Sequence, residues 1–170
     1  IGVGLGTAIA SGGANAPNMW YESDRDALMK RTRVRPIPSR RLSSRFVLLF
    51  GLGMTVLGCA ILGFTAGMLP ALVALATTAS YVLIYTPLKP ITITNTLIGA
   101  VPGALPTMIG TTAVATGTGF APLVEPVGLM LFCIMFLWQL PHFFAIAWMC
   151  RIDYELGGFR MLPIVDPIGN

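Results

Sequence analysis

Phe46-Val-Leu-Leu-Phe-Gly-Leu-Gly-Met-Thr-Val-Leu-Gly-Cys-Ala-Ile-Leu-Gly-Phe-Thr65 runs for 20 residues without a charge, and its reading decides the fold. At 1.5 Å per residue a helix of that length measures about 30 Å, the thickness of a bilayer core. The run lacks the period-two alternation of a barrel strand, and lipid tolerates no unpaired backbone, so a transmembrane helix is the element it fits. Similar runs recur at Leu69 to Tyr85, Ile91 to about Ala115, and Val127 to Cys150. Ile1 to Ala16 is apolar and Gly-rich but shorter, and it reads as part of a fifth span. Of the 170 residues 55% are hydrophobic and 11% charged, with mean hydropathy +0.76; a soluble domain carries about 25% charged residues. The expected fold is therefore all-α, a polytopic transmembrane helical bundle of about four full spans and one partial span, forming a single domain over 1–170. The abrupt start without methionine marks it as an internal piece of a larger bundle, incomplete at both ends.

Small residues at four-residue spacing, Gly63 with Gly67 and Gly99 with Gly103, are expected to let helices approach closely. Cys59, Cys133 and Cys150 lie in or at the end of apolar runs without Cys-x-x-Cys spacing, and read as small packing residues.

Charge is distributed unevenly. Lys and Arg fall at 25, 30, 31, 33, 35, 40, 41, 45, 89, 151 and 160, while the loops near 66–68 and 116–126 hold none. If successive helices alternate direction, every basic residue lands on one side, together with Glu22, Asp24, Asp26, Asp153, Glu155 and Asp166, leaving Glu125 alone opposite. The positive-inside rule makes the crowded side cytoplasmic, or the matrix in a mitochondrial inner membrane. Polar chemistry is thus confined to 18–45, 85–95 and 138–160, which return to one face. For Arg33 and Arg40 to Arg45 the simpler reading is a solvated loop near anionic lipid heads.

Within 18–45, Asn18, Glu22 and Asp26 recur every four residues. On a helix each step advances about 400°, so the three side chains form one polar stripe roughly 12 Å long. Carboxylates at the edge of hydrocarbon are costly and tend to be functional. Two carboxylates and an amide suit the hard oxygen coordination of Mg²⁺ better than a zinc site. Asp24 points away and is left out. Arg31 and Arg35 can donate forked hydrogen bonds to phosphate oxygens, with Pro36 forcing Arg35 out of helical geometry. The second constellation is Tyr85-x-x-x-Lys89 followed by Thr92, Thr94 and Asn95. The third is Trp138-Gln139-Leu-Pro141-His142-Phe143, then Arg151, Asp153, Tyr154 and Glu155. His142 is the single histidine, Gln139 shares its face, and Pro141 is expected to break the helix ladder locally, so that a polar pocket opens inside the bundle.

These three segments, in this order, resemble the UbiA superfamily of intramembrane aromatic prenyltransferases over nearly the whole chain. Asn18-x-x-x-Glu22-x-x-x-Asp26 with Arg31 and Arg35 looks like the first acidic motif, and Tyr85-x-x-x-Lys89 like the Tyr/Lys motif. Asn95, Gly99, Pro102, Gly103, Ala104, Pro106 and Gly110 follow a family-like pattern. Trp138 to Phe143 resembles the branch that farnesylates protohaem IX. Two departures stand out: Asp153 is followed at four residues by Gly157 rather than a second Asp, as in that branch, and the middle residue of the first motif is Glu. The resemblance implies transfer of a farnesyl group from farnesyl diphosphate to a vinyl group of haem B, giving haem O, with Mg²⁺ on the diphosphate. It implies Asn18, Glu22, Asp26 and Asp153 as metal ligands, Asn18, Glu22, Asp26, Lys89 and His142 as catalytic, and Arg31, Arg35, Tyr85, Asn95, Gln139 and Asp153 as substrate contacts. A haem A synthase is a possible partner beside the lipid bilayer; no nucleic acid is implied. The competing readings are a quinone-precursor acceptor, a membrane transporter, and a haem-handling scaffold. Against the transporter, the polar residues do not continue to the far side.

Overall fold

The computed structural model describes residues 1–165; Asp166, counted above on the basic face, lies outside the described residues. The chain is helical as expected, and among the described residues there is no strand. Helices α1 (Gly2–Tyr21) and α2 (Ser23–Leu28) are followed, after a looping segment, by α3 (Ser44–Ala66) and α4 (Met68–Ala79). The α4 axis runs on through a π-helical turn (Ser80–Tyr85) into α5 (Thr86–Leu88). Then come α6 (Asn95–Val114), a 3₁₀ turn at Ala121–Val124, α7 (Pro126–Met149), α8 (Arg151–Leu156) and α9 (Leu162–Val165). Among the described residues four helical segments are long and apolar enough to cross a membrane: Ser44–Ala66, Met68–Leu88, Asn95–Val114 and Pro126–Met149. They coincide with the four predicted runs to within two residues except at two ends: the second span runs on to Leu88, past Tyr85, and the third begins late. The third span starts at Asn95, not Ile91, because Thr92 and Thr94 bond one another and the Asn95 amide bonds the Thr92 carbonyl, closing a turn.

Neighbours in sequence pack as neighbours in space: α1 along α3, α3 against α4, α4 against α6, and α6 against α7, with α1 also touching α4 and α6. The deep core gathers Leu62, Ala71, Val73, Ala74, Met108 and Ile109. A second cluster, Met29, Ala147, Phe159 and Met161, lies beneath the basic loops.

Van der Waals packing must hold helices together in lipid, where there is no hydrophobic force between them, and small residues let backbones approach. The expected Gly63–Gly67 pair does not serve this purpose: Gly63 has only the Ala71 methyl near it, and Gly67, with φ +102°, makes the sharp turn into α4. Instead Gly6 and Gly13 of α1 meet Gly51 and Gly58 of α3. A Cβ on Gly58 would sit 2.5 Å from the Ala10 nitrogen and 2.7 Å from the Gly6 carbonyl oxygen. Those are backbone atoms, which cannot move aside. Pro141 also departs from expectation, since α7 continues through it as an unbroken helix; TM helices tolerate such prolines when neighbours compensate.

Gly58→Leu is expected to destabilise the bundle by about 1–3 kcal/mol or more through overpacking. Gly53→Leu, on the open face of the same helix with nothing within 4 Å, should be tolerated. Thermal unfolding of both variants in detergent checks the contrast.

Candidate active site

The stripe predicted from Asn18, Glu22 and Asp26 survives the junction between α1 and α2, because Glu22 N–H bonds Asn18 O at 3.0 Å and Asp26 N–H bonds Glu22 O at 2.8 Å. Helical spacing is kept, and all three side chains are buried, Asp26 completely. Asp24 points outward and is exposed.

Buried carboxylates require counter-charges. Lys89, arriving from the end of the α4–α5 span, brings its Nζ to 2.8 Å from Glu22 Oε1. The approach is off the hydrogen-bond direction for that oxygen, so the contact is an ion pair rather than a directed bond. Asn18 knits the group: its Nδ2 donates to Glu22 Oε2 at 3.1 Å, while its Oδ1 accepts from Thr86 Oγ1 at 2.9 Å and from Lys89 Nζ at 3.4 Å. Lys89 Nζ also lies 4.7 Å from the centroid of the Tyr85 ring, a cation–π contact. Arg35 reaches back from the loop and donates to Asp26 Oδ2 at 2.7 Å. Asp26 Oδ1 is buried with no hydrogen-bond partner.

Below these ion pairs lies a cavity of about 370 Å³ lined by residues of α1, α4, the π-helical turn, α6 and α7. The π turn matters here. Tyr81 and Tyr85, four residues apart, both reach the cavity from it, and its carbonyl at Tyr81, 2.8 Å from Thr86 Oγ1, shares the one hydroxyl proton with Asn18 Oδ1. Tyr85 lies over Gly99, where a Cβ would meet the ring at 2.5 Å, and stacks on Phe143 of α7. Gln139 also faces the cavity, seated on Gly103, whose carbonyl it approaches at 3.5 Å.

Other predicted site residues stand further out. Asp153 accepts from the backbone N–H groups of Lys30 and Arg31, at 3.1 and 3.3 Å, and so ties α8 to the first loop. Arg31 itself is exposed, its guanidinium 6.0 Å from the Tyr154 ring centroid. Burial pushes the Tyr154 hydroxyl up in pKa, with Arg31 opposing, so it is a neutral phenol at physiological pH. The Asn95 amide is occupied by the carbonyls of Thr92 and Arg160 and does not enter the large cavity. His142 stacks on Trp138, ring centroids 4.6 Å apart, and is not part of the cavity wall, so the expected pocket holds Gln139 without it. Among the described residues no three His, Cys, Asp or Glu side chains converge as a ready metal cluster.

Three residues escaped the sequence reading. Thr86, fully buried, fixes the orientation of Asn18. Thr32 bonds the Asp26 carbonyl. Arg25 donates to the carbonyls of Gly157 and Gly158 at 2.8 and 3.2 Å and lies over Phe159. Of these only Thr86 carried a signal, its place inside Tyr85-x-x-x-Lys89.

Buried paired carboxylates, cations from two other segments and a membrane-embedded cavity beneath them define a site able to grip an anionic head group while housing an apolar body. The chain belongs to the UbiA prenyltransferase family, whose model matches residues 1–169. It is 43% identical over 163 residues to a protoheme IX farnesyltransferase of Solibacter usitatus, covering 96% of this chain and 54% of that protein. It is 44% identical over 160 residues to a protein of that name from Sorangium cellulosum, covering 94% and 55%, and 44% identical over 166 residues to one from Rhodopirellula baltica, covering 98% and 56%. The chain thus spans about half the length of the curated relatives it matches. No solved structure matches it.

Lys89→Met should strand the Glu22 carboxylate among buried groups and destabilise the protein by about 3–5 kcal/mol. Combining it with Glu22→Gln removes both charges and should recover most of that loss. A double-mutant cycle read by thermal unfolding measures the coupling.

Proposed function

We propose that the full-length protein transfers a farnesyl group from farnesyl diphosphate to a vinyl group of protohaem IX, forming haem O, and that the site described above grips the diphosphate. The observation that carries the head-group assignment is the set of two buried carboxylates balanced by Lys89 and Arg35 at the mouth of the cavity. The acceptor follows from the names of the relatives, protoheme IX farnesyltransferases.

The donor set fits Mg²⁺. Asp26 Oδ1 is a buried oxygen without a donor, and Glu22 Oε1 is held only by an ion pair; hard oxygens of this kind suit that ion. Asn18, Glu22 and Asp26 would hold it, with Asp153 contributing from α8. Bound there with the diphosphate, Mg²⁺ supplies charge neutralisation for the leaving group.

This chain's own residues do the rest. Lys89 and Arg35, already turned toward the stripe, donate to phosphate oxygens, and Arg31 adds a third cation from the loop. Preorganised donors of this kind are each worth about 3–4 kcal/mol of barrier. The aromatic faces of Tyr85, Tyr81 and Phe143 flank the cavity below, where an allylic carbon gaining positive charge is stabilised by ring quadrupoles. The farnesyl tail extends between helices toward lipid. His142, stacked on Trp138, contacts haem from outside this wall. The positive-inside rule applied to the basic loops supports a site on the cytoplasmic or matrix side of the bacterial or mitochondrial inner membrane, where a haem A synthase can take up the product.

Asp26→Ala in the full-length protein should abolish turnover while leaving insertion intact, and protohaem IX should accept the farnesyl group where 4-hydroxybenzoate does not. Product analysis by mass spectrometry with both acceptors tests the reading. Transfer to 4-hydroxybenzoate alone would replace the acceptor, and unchanged Mg²⁺ dependence in the Asp26 variant would remove the metal assignment.

A further inference from the structure

The face of α1 that carries Asn18 continues inward. Thr7, Ser11 and Asn15 follow one another at four-residue intervals, and Asn15 precedes Asn18 by three, so one polar stripe leads from the carboxylates into the cavity. All three line that cavity, as does Thr78 of α4. Ser11 and Asn15 are exposed on the open face of that cavity, and Thr7 and Thr78 are half-buried, so their polar atoms are accessible to a molecule that enters it.

Some of these groups are satisfied internally. Asn15 Nδ2 donates to the Ser11 carbonyl at 3.2 Å, and Thr77 Oγ1 donates to the Val73 carbonyl at 2.7 Å. Among the described residues, however, the Ser11 and Thr78 hydroxyls and the Asn15 side-chain oxygen have no protein hydrogen-bond partner. An isoprenoid chain offers them nothing, and the aromatic wall of Tyr85 and Phe143 is the better surface for it. A small hydrogen-bonding molecule suits the polar wall, because water needs two to four such partners.

We infer that Ser11 and Asn15, with Thr78 on the α4 wall, hold the water that completes the reaction. The inference rests on the transfer to protohaem proposed above. In that reaction the C1–O bond of farnesyl diphosphate breaks and its electron pair leaves with the diphosphate. The π pair of the haem vinyl group joins its terminal carbon to C1, and positive charge moves to the inner vinyl carbon. The water oxygen donates a lone pair to that carbon, and its proton passes to the departed diphosphate. The product is the hydroxyethylfarnesyl side chain. Without a held water, the same cation sheds a proton from the adjacent new methylene and gives an alkene lighter by one water. His142 is poorly sited for delivering the water, since it is outside the cavity wall.

The test uses the full-length protein in lipid nanodiscs with protohaem IX, farnesyl diphosphate and Mg²⁺, and reads product masses. Ser11→Ala combined with Asn15→Leu should lower the ratio of hydrated to dehydrated product about tenfold, and Ser11→Thr, which keeps the hydroxyl, should hold the wild-type ratio. Ser11→Ala alone provides the same readout if the double variant does not fold, because it disturbs no protein hydrogen bond made by that side chain. A wild-type ratio in a variant that still transfers farnesyl overturns the water assignment and leaves the acceptor reading standing. Failure of the wild-type protein to farnesylate protohaem overturns the acceptor reading, and the water assignment with it.

Discussion

Two carboxylates buried at the rim of a membrane bundle must be neutralised, and much of the working face follows from that constraint. Glu22 stands at the junction of α1 and α2 and Asp26 on α2, but their counter-charges come from elsewhere: Lys89 from the end of the α4–α5 span and Arg35 from the loop beyond α2. An uncompensated ion at such depth costs several kcal/mol. The chain therefore gains by returning the second span to the end of α1 and by folding the loop back over α2. Asn18 and Thr86 make the pairing directional, since the amide can satisfy Glu22 and Lys89 together only in one orientation, which the Thr86 hydroxyl favours.

The loops that bear the remaining charges are fastened by backbone groups rather than by charge against charge. Asp153 caps the N–H groups of Lys30 and Arg31, Arg25 takes the carbonyls of Gly157 and Gly158, and Arg160 N–H bonds the Lys89 carbonyl at 2.9 Å. Asn95, at the start of α6, adds the Arg160 carbonyl. Through these links the segment after α7 is held to the ion pairs without making a direct ion pair with them. Asp153 thereby fixes the backbone that carries Arg31.

Hydropathy and length were enough to read the four spans, because nothing but a helix satisfies a backbone in lipid. The carboxylate stripe was legible for a different reason: the bonds at Glu22 and Asp26 keep four-residue spacing across a helix junction that the sequence does not announce. Lys89 was legible by its motif. Its partner was not, because which carboxylate a cation meets depends on where a distant span ends. The π turn at Ser80–Tyr85 has no compositional mark, although the four-residue spacing of Tyr81 and Tyr85 already sets both rings on one helical face. Glycine spacing misled for a physical reason. Gly63 and Gly67 have the right interval, but the contact needs a matching groove opposite, and only α1 offers one, to Gly51 and Gly58.

The cavity's lining is both aromatic and polar, which bears on the order of events in the proposed chemistry. Water near a forming allylic cation diverts it to farnesol, whereas water is required once the carbon–carbon bond exists; one uniform wall cannot meet both demands. Aromatic rings of the π turn and α7 line it together with hydroxyls and amides of α1, α4 and α7. Asn15 is three residues from Asn18, about 4.5 Å along the helix axis. The residues proposed to hold the diphosphate and the polar residues of α1 thus follow one another along one helical stripe. Moving the reacting carbon from the first toward the second, over the aromatic face, separates the dry step from the wet one by position within a single cavity.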